Sequence, residues 1–166
     1  MNSIFKRRSI RKYLDNDISD AMVEEIIKAG MAAPSAGDER PWHFIVVRNK
    51  STMLEFPKFH QYAQMLKNAP VAIVVCGDLN RQAYEGFWIQ DCSAAIQNML
   101  LQVTEMGLGS VWVGIYPDKK RVEKTKELLD LPENIVPVAV LPIGAPGEIK
   151  PATNRYDKRM IHLEKW

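Results

Sequence analysis

The chain has 166 residues, of which 46% are hydrophobic and 25% charged, a composition typical of a globular protein rather than a disordered or membrane-embedded one. Its formal net charge of +2, from 22 basic and 20 acidic side chains, is too balanced to indicate a nucleic-acid partner by bulk electrostatics. We therefore expect one domain over residues 1–166 and no nucleic-acid partner.

The sequence also argues against a membrane span or a secretory signal. Apolar runs such as Val71–Cys76 extend over only a few residues, whereas a spanning helix needs roughly 18 or more. The basic N-terminus, residues 1–8, is not followed by an apolar core. We expect a cytoplasmic protein in which Cys76 and Cys92 are buried free thiols, rather than a disulfide or a nucleophile.

The first predicted elements are a helix and a loop. Ser19 precedes apolar residues at three- and four-residue spacing as far as Gly30, which indicates an N-capped amphipathic helix. This helix is expected to stop before Pro34. Small and polar residues between Pro34 and Pro41 then indicate an exposed loop, the kind of segment that often binds ligands.

Two strands with a helix between them come next. Trp42–Arg48 and Val71–Cys76 are rich in β-branched residues and bounded by Pro, Gly or charge, which indicates strands buried on both faces. Phe56–Asn68 is predicted to form a short helix that is interrupted near Pro57.

The second half continues the alternation of helices and strands. The wide apolar stripe of Tyr84–Met106 indicates a long buried helix, and Lys119–Leu128 indicates a charged surface helix. Ser110–Ile115 and Val136–Ile143 are predicted strands. Gly144–Trp166 mixes charge with apolar residues and indicates an extended arm that a partner subunit could bury. Alternation alone would favour a parallel, doubly wound sheet.

Two segments have compositions suited to ligand binding. Residues 6–12 place five cations around Ser9, and guanidinium groups with a hydroxyl can bind a phosphate and the carbonyl edge of a heteroaromatic ring. A solvated basic arm or weak nucleic-acid contact is the alternative. Residues 33–42 leave backbone N–H groups accessible to a flat ligand, although a plain helix-to-strand connection has the same composition.

Other kinds of site are poorly supported. Gly107 and Gly109 lack the full spacing of a dinucleotide-binding loop and are better explained as a helix cap. His43, His60 and His162 are widely separated, and the sequence has no paired Cys motif and no serine elbow. We expect no metal site and no hydrolytic machinery.

Taken together and in this order, these segments resemble the nitroreductase family. The resemblance covers essentially the whole chain and is carried by residues 7–13, 33–37, 41–44, 91–101, 106–114 and 141–146, together with Arg155 and Trp166. It implies an α+β fold with a mixed β-sheet flanked by helices. It also implies a homodimer that exchanges its extended terminal arms and binds one FMN at each of two interface sites.

The resemblance assigns roles to individual residues. The residues that would hold the flavin phosphate, ribityl chain and pyrimidine edge are Arg7, Arg8, Ser9 and Arg11, and Arg155 would supply another phosphate contact. The residues that would approach the flavin from the other subunit are Pro34, Ser35 and Ala36, and Gly114 would lie near the isoalloxazine ring. Asp38 and Glu39 lie in a segment where relatives often have Asn and Gln, so both would bring negative charge near the expected flavin site.

The implied activity is transfer of hydride from NADH or NADPH to flavin N5, followed by reduction of an acceptor such as a nitroaromatic or a quinone in a ping-pong sequence. Because the flavin carries this chemistry, no catalytic side chain is assigned. Cations near the pyrimidine edge would favour the anionic reduced flavin. The alternatives are a non-catalytic flavin-binding or sensor module on the same fold, and a nucleic-acid binder that uses residues 6–12.

Overall fold

The computed structural model describes residues 3–166; Met1 and Asn2, which begin the basic N-terminal segment, lie outside these residues. The α-helices of the described part are α1 (Ser3–Lys6), α2 (Asp20–Met31), α3 (Lys50–Phe59), α4 (Trp88–Glu105) and α5 (Lys119–Leu129). The strands are β1 (Trp42–Val47), β2 (Val71–Asp78), β3 (Gly109–Ser110), β4 (Val113–Gly114) and β5 (Ile135–Gly144). Short 3-10 helices cover Ala36–Asp38, Gln61–Lys67, Leu79–Arg81 and Lys158–Met160.

The five strands form one sheet in the order β1-β2-β5-β3, with β4 also paired to β5. All four strand pairs are antiparallel, and an isolated parallel bridge between Ser9 and Ser110 adds the N-terminal segment beside β3. The α+β class is therefore confirmed. The parallel, doubly wound arrangement that alternation favoured is wrong, because a helix between two strands does not by itself fix the direction in which the second strand returns.

Helices cover both faces of the sheet and bury two apolar clusters. α2 and α4 lie on one face, and α3, the 3-10 helix Gln61–Lys67 and α5 lie on the other. The layer formed by α2 and α4 packs very closely against the sheet at Gly77 of β2. A Cβ added there would lie 2.4 Å from Cε3 of Trp88 at the start of α4. Only a residue without a side chain lets the helix approach the strand at this distance.

The predicted start of α2 is correct because its capping signal is strong, whereas the predicted limits of the next helix are not. Ser19 caps α2, and its Oγ accepts a hydrogen bond from Met22 N–H at 3.3 Å. The helix predicted to start at Phe56 is wrong at its beginning, since the Asn49 side chain caps α3 by accepting from Thr52 N–H at 3.2 Å. Pro57 lies inside the last turns of α3 rather than interrupting it.

The predicted strand 110–115 is also wrong in extent, because it divides into β3 and β4. Cys76 on β2 and Cys92 on α4 are free, fully buried thiols, as expected, and burial raises the pKa of each to about 12.

Within residues 3–166, no helix combines the length and the apolar character that crossing a membrane requires. The segment after β5 forms no α-helix or strand, and its one 3-10 turn is Lys158–Met160.

Candidate functional site

The basic segment after α1 is held against the edge of the sheet. Arg7 N–H donates to the Ser3 carbonyl at 2.8 Å and ends the helix, and Ile10 N–H then donates to the Ser110 carbonyl at 2.9 Å. Ile10 is buried, and its side chain lies directly against Gly109. Burial of this one apolar residue anchors the segment and leaves its neighbouring arginines at the surface of the protein.

Arg7, Arg8 and Arg155 meet around a cavity of about 350 Å³, here called the arginine cavity. Its walls are completed by Ile4, Phe5, Thr153, Asn154 and Tyr156. Arg8 Nε donates to the Pro151 carbonyl at 2.8 Å, which fixes the C-terminal segment against the N-terminal one. The structure thus brings together three arginines that are far apart in the sequence.

The arginine cavity has the electrostatic character of an anion site. Burial, followed by the nearby Arg155 and Arg8 guanidiniums, lowers the pKa of Arg7. Within residues 3–166 none of these three guanidiniums forms an ion pair with a carboxylate. Neighbouring guanidiniums without a counter-charge favour a multivalent oxyanion such as a phosphate between them.

Arg11 and Gly114 line a second cavity of about 420 Å³, here called the Gly114 cavity. Its other walls are His60, Gln61, Tyr62, Gln64, Met65, Val111, Trp112, Val113 and Arg121. A Cβ added at Gly114 would meet no atom closer than Trp112 Nε1, at 3.9 Å. The backbone at Gly114 therefore borders open space, and aromatic, apolar and cationic groups surround it.

One short stretch of chain links the two cavities. Arg8 faces the arginine cavity and Arg11 the Gly114 cavity, and residues 8–11 span at most about 10 Å when extended. Ser9 lies between them, and its carbonyl accepts hydrogen bonds from Lys150 Nζ at 2.6 Å and Arg11 Nη1 at 3.3 Å. The arrangement suits an elongated ligand with a phosphate at one end and a flat polar ring at the other, which is the chemistry of FMN.

The loop that holds Pro34, Ser35, Ala36 and Asp38 borders neither cavity within the described chain. It is held elsewhere, because Ala36 N–H donates to Asp91 Oδ1 at 3.0 Å. The structure therefore groups the predicted arginines and Gly114 but leaves these four residues apart. Their predicted contact with flavin requires a second subunit and stays a prediction.

The two acidic residues of this loop are both engaged by protein groups. Arg40 binds the exposed Asp38 carboxylate through two hydrogen bonds of 2.6 and 2.5 Å and lowers its pKa. Glu39 is buried instead, and its Oε2 accepts from the backbone N–H groups of Ala83 and Tyr84 at 2.6 and 3.1 Å. Neither carboxylate is an unpaired charge directed into one of the two cavities.

Buried Asp91 faces Glu39. Burial raises the pKa of Asp91; the Ala36 N–H acts in the opposite direction, and the Glu39 carboxylate, to which a protonated Asp91 can donate, adds to the increase. Glu39 Oε1 and Asp91 Oδ2 are both buried and have no other hydrogen-bond partner within the described residues. The raised pKa of Asp91 follows from this arrangement, because a second buried negative charge beside Glu39 would be unfavourable.

Four functional candidates were missed from the sequence: His60, Tyr62, Trp112 and Arg121. His60 and Tyr62 come from the junction and the 3-10 helix after α3, Trp112 from the link between β3 and β4, and Arg121 from α5. They meet at the Gly114 cavity. No motif joins them in the sequence, and the single cationic and aromatic residues are too common to serve as a signal. Within residues 3–166 the structure contains no cluster of three or more potential metal ligands.

Comparisons with known proteins agree with the resemblance. The model of the Nitroreductase family matches residues 4–63 and 55–145. A relative from Methanothermobacter thermautotrophicus, provisionally named NADH dehydrogenase/NAD(P)H nitroreductase, is 48% identical over 100% of this chain and 87% of its own.

Two solved structures share the fold. One, from Parabacteroides distasonis and with the same provisional name, is 41% identical with a TM-score of 0.95 and covers 99% of this chain and 96% of its own. The FMN-dependent nitroreductase from Clostridium difficile R20291 is 32% identical with a TM-score of 0.92, and each chain is covered to 99%.

Proposed function

Because the chain belongs to the nitroreductase family, we propose that it is an FMN-dependent oxidoreductase that passes reducing equivalents from NADH or NADPH to an oxidised acceptor. The observation that carries the proposal is the convergence of Arg7, Arg8 and Arg155, without a carboxylate partner, next to the Gly114 cavity. A phosphorylated flat ring fits this pair of cavities, whereas a metal cofactor has no ligand cluster within residues 3–166. We further propose that residues 1–166 act as one FMN-binding domain.

The protein groups divide the task of holding FMN. Arg7, Arg8 and Arg155 would bind the phosphate, and Ser9 and Arg11 would hold the ribityl chain and the polar edge of the ring. Gly114 would admit the ring, since it has no side chain to fill the space. When bound, FMN supplies hydride acceptance and electron return, so the protein contributes binding, orientation and positive charge.

We propose that the functional unit is a homodimer located in the cytoplasm. The loop with Pro34, Ser35, Ala36 and Asp38 reaches neither cavity of its own chain, and a second copy could bring it there. The C-terminal arm exposes large apolar side chains, namely Ile149, Tyr156, Met160, Leu163 and Trp166. Apolar groups concentrated on one arm favour burial against a partner.

The test starts from the visible spectrum of the purified protein with and without added FMN. We expect bound FMN that bleaches under anaerobic conditions when NADH or NADPH is added, and regains its colour when a nitroaromatic or quinone follows. FMN that binds but stays oxidised over minutes would favour the non-catalytic flavin-binding or sensor module. A protein that neither binds FMN nor oxidises NADH or NADPH would overturn the proposal.

Steady-state kinetics then test the order of reaction. A ping-pong mechanism predicts parallel double-reciprocal plots when donor and acceptor concentrations are varied together. Intersecting plots would contradict that mechanism while leaving the activity in place. Steeply salt-dependent DNA or RNA binding by a protein without FMN would instead support the nucleic-acid alternative.

A further inference from the structure

His60 is a buried polar residue that borders the Gly114 cavity. It lies between α3 and the 3-10 helix Gln61–Lys67, and only 1% of its surface is exposed. Its Nε2 is 2.7 Å from the Gly114 carbonyl oxygen, and its Nδ1 accepts from Tyr62 N–H at 3.3 Å. Both ring nitrogens are therefore used by the backbone of the protein.

These two contacts define the state of the imidazole. Because Nδ1 accepts the Tyr62 N–H, it carries no proton, and Nε2–H is then the group that donates to Gly114. Burial lowers the pKa of His60, and repulsion from Arg121 acts in the same direction, whereas the bond to Gly114 opposes them. A neutral ring with both nitrogens occupied has no proton free to give to a ligand in the cavity.

The Gly114 carbonyl oxygen is held by hydrogen bonds from two side chains, His60 and Arg121. β4 contains only Val113 and Gly114, and it pairs with β5 through Val140 and Ala139. The Gly114 carbonyl also accepts from Arg121 Nη1 at 3.3 Å, a longer bond than the one from His60. The N–H of the same peptide unit, at Ile115, donates to the Val138 carbonyl of β5 at 2.9 Å, so the sheet holds one side of this peptide and the two side-chain donors hold its carbonyl at the edge of the cavity.

We propose that His60 is a positioning residue of the FMN site, which fixes the Gly114 peptide through its Nε2–H. The proposal rests on the proposed function, since it assumes that the Gly114 cavity receives the flavin ring. In this role His60 acts through the backbone, touches no reacting atom, and is not the proton donor of the reaction. It accounts for a buried histidine that no sequence motif explains.

Two substitutions separate the two hydrogen bonds of His60. In H60N the side-chain oxygen can still accept from Tyr62 N–H, but the amide is too short to reach Gly114. In H60Q the longer amide can place an N–H donor where Nε2 now lies. We expect H60N to weaken FMN binding by about three- to tenfold, the effect of one lost hydrogen bond, and H60Q to stay within about twofold of wild type.

FMN binding is measured on apo protein by quenching of flavin fluorescence, and the visible spectrum of the bound flavin is compared between variants. M53A is the matched control, because Met53 is buried on α3, the helix that precedes His60, and does not line the Gly114 cavity, so its truncation destabilises the fold without changing the lining of the site. We expect M53A to lower the melting temperature but to keep the affinity and spectrum of wild type. The ring nitrogens of His60, observed by NMR in the apo protein, should show the Nε2–H tautomer at neutral pH.

Equal FMN affinity and spectrum in H60N and wild type would overturn this inference while leaving the proposed function intact. A protonated or Nδ1–H ring would overturn it too. If wild type itself binds no FMN, the proposed function fails and the inference fails with it. A weakened H60N that H60Q restores, beside an unaffected M53A, would establish the positioning role.

Discussion

Arg7 illustrates how an unpaired charge points to a ligand. A guanidinium that is partly buried beside two others is under electrostatic strain, and burial and repulsion both lower its pKa. An anion between the three groups would remove that strain, so the mutual repulsion of the three guanidiniums strengthens the binding of an anion. The basic composition of residues 6–12 and the family resemblance predicted such a site, and the fold brings Arg155 beside Arg7 and Arg8.

The arginine cavity gives a direct prediction. Each charge-assisted contact to a phosphate contributes about 1.5–3 kcal/mol, so R7A and R155A should each weaken FMN binding by about ten- to a hundredfold. R159A is the control, because Arg159 lies in the same arm but binds the Asp157 carboxylate. Binding is measured by fluorescence titration at fixed salt concentration, and unchanged affinity in R7A and R155A would disprove the phosphate assignment.

The carboxyl pair of Asp91 and Glu39 predicts a dependence of stability on pH. The unfolded chain binds the Asp91 proton with the ordinary pKa of 3.8, whereas the folded chain holds it more tightly. The contribution to stability is therefore complete below about pH 4 and decreases as the pH rises through the elevated pKa. In D91N the amide can keep the bond from Ala36 and donate to Glu39 without titrating.

We expect the melting temperature of D91N to depend less on pH than that of wild type as the pH rises above about 4. D130N makes the same chemical change at an exposed residue and should follow the wild-type curve. Parallel curves for D91N and wild type, measured by thermal denaturation, would show that the folded protein does not raise the pKa of Asp91.

Among the elements, those with their own local signals were predictable. α2 and α5 have the expected positions because a capping side chain and amphipathic spacing act within one turn of the chain. The direction of the strands was not predictable from alternation, because it depends on which distant strand each one joins. β3 and β4 are likewise defined by their pairing with β5 and not by their own sequences.

Contact between α4 and β2 depends on Gly77. An added Cβ would overlap Trp88, which is buried and has little room to move, so G77A should lower the free energy of unfolding by about 1–3 kcal/mol. Chemical denaturation measures this change. In a W88L background, which removes the overlapping ring, G77A should lower the free energy of unfolding by clearly less. Equal costs in both backgrounds would show that Trp88 is not the obstacle.

At the scale of the whole molecule, a single chain supplies the arginines and Gly114 of the proposed site but not the predicted loop contacts. The predictions of a dimer and of flavin contacts from Pro34, Ser35 and Ala36 came from the family resemblance, because no local sequence pattern describes a second copy of the chain. The residues around His60 escaped prediction for a related reason. They become neighbours only when α3, β4 and α5 are packed together on one face of the sheet.

The exposed arm predicts how the dimer would be weakened. Trp166 and Ile149 are fully exposed in the single chain, and Leu163 is nearly so. If a partner buries this arm, L163A with W166A should raise the dissociation constant of the dimer at least tenfold, since each large apolar side chain contributes about 1.5–3 kcal/mol on burial. K158A, on the same arm, should leave it unchanged.

A dilution series in the analytical ultracentrifuge measures this equilibrium for both variants and for wild type. A wild-type protein that stays monomeric at every concentration would contradict the dimer itself. A stable dimer that L163A with W166A leaves unaffected would instead place the interface on another surface.

The two cysteines can report on the order in which parts of the protein unfold. Cys76 belongs to the apolar cluster on one face of the sheet and Cys92 to the cluster on the other. Since only an exposed thiolate is alkylated readily, iodoacetamide should not modify either sulfur until the helices that cover its face of the sheet separate from the strands. The relative labelling rates, resolved by peptide mass spectrometry, would therefore reveal whether the helical layers detach together or one before the other.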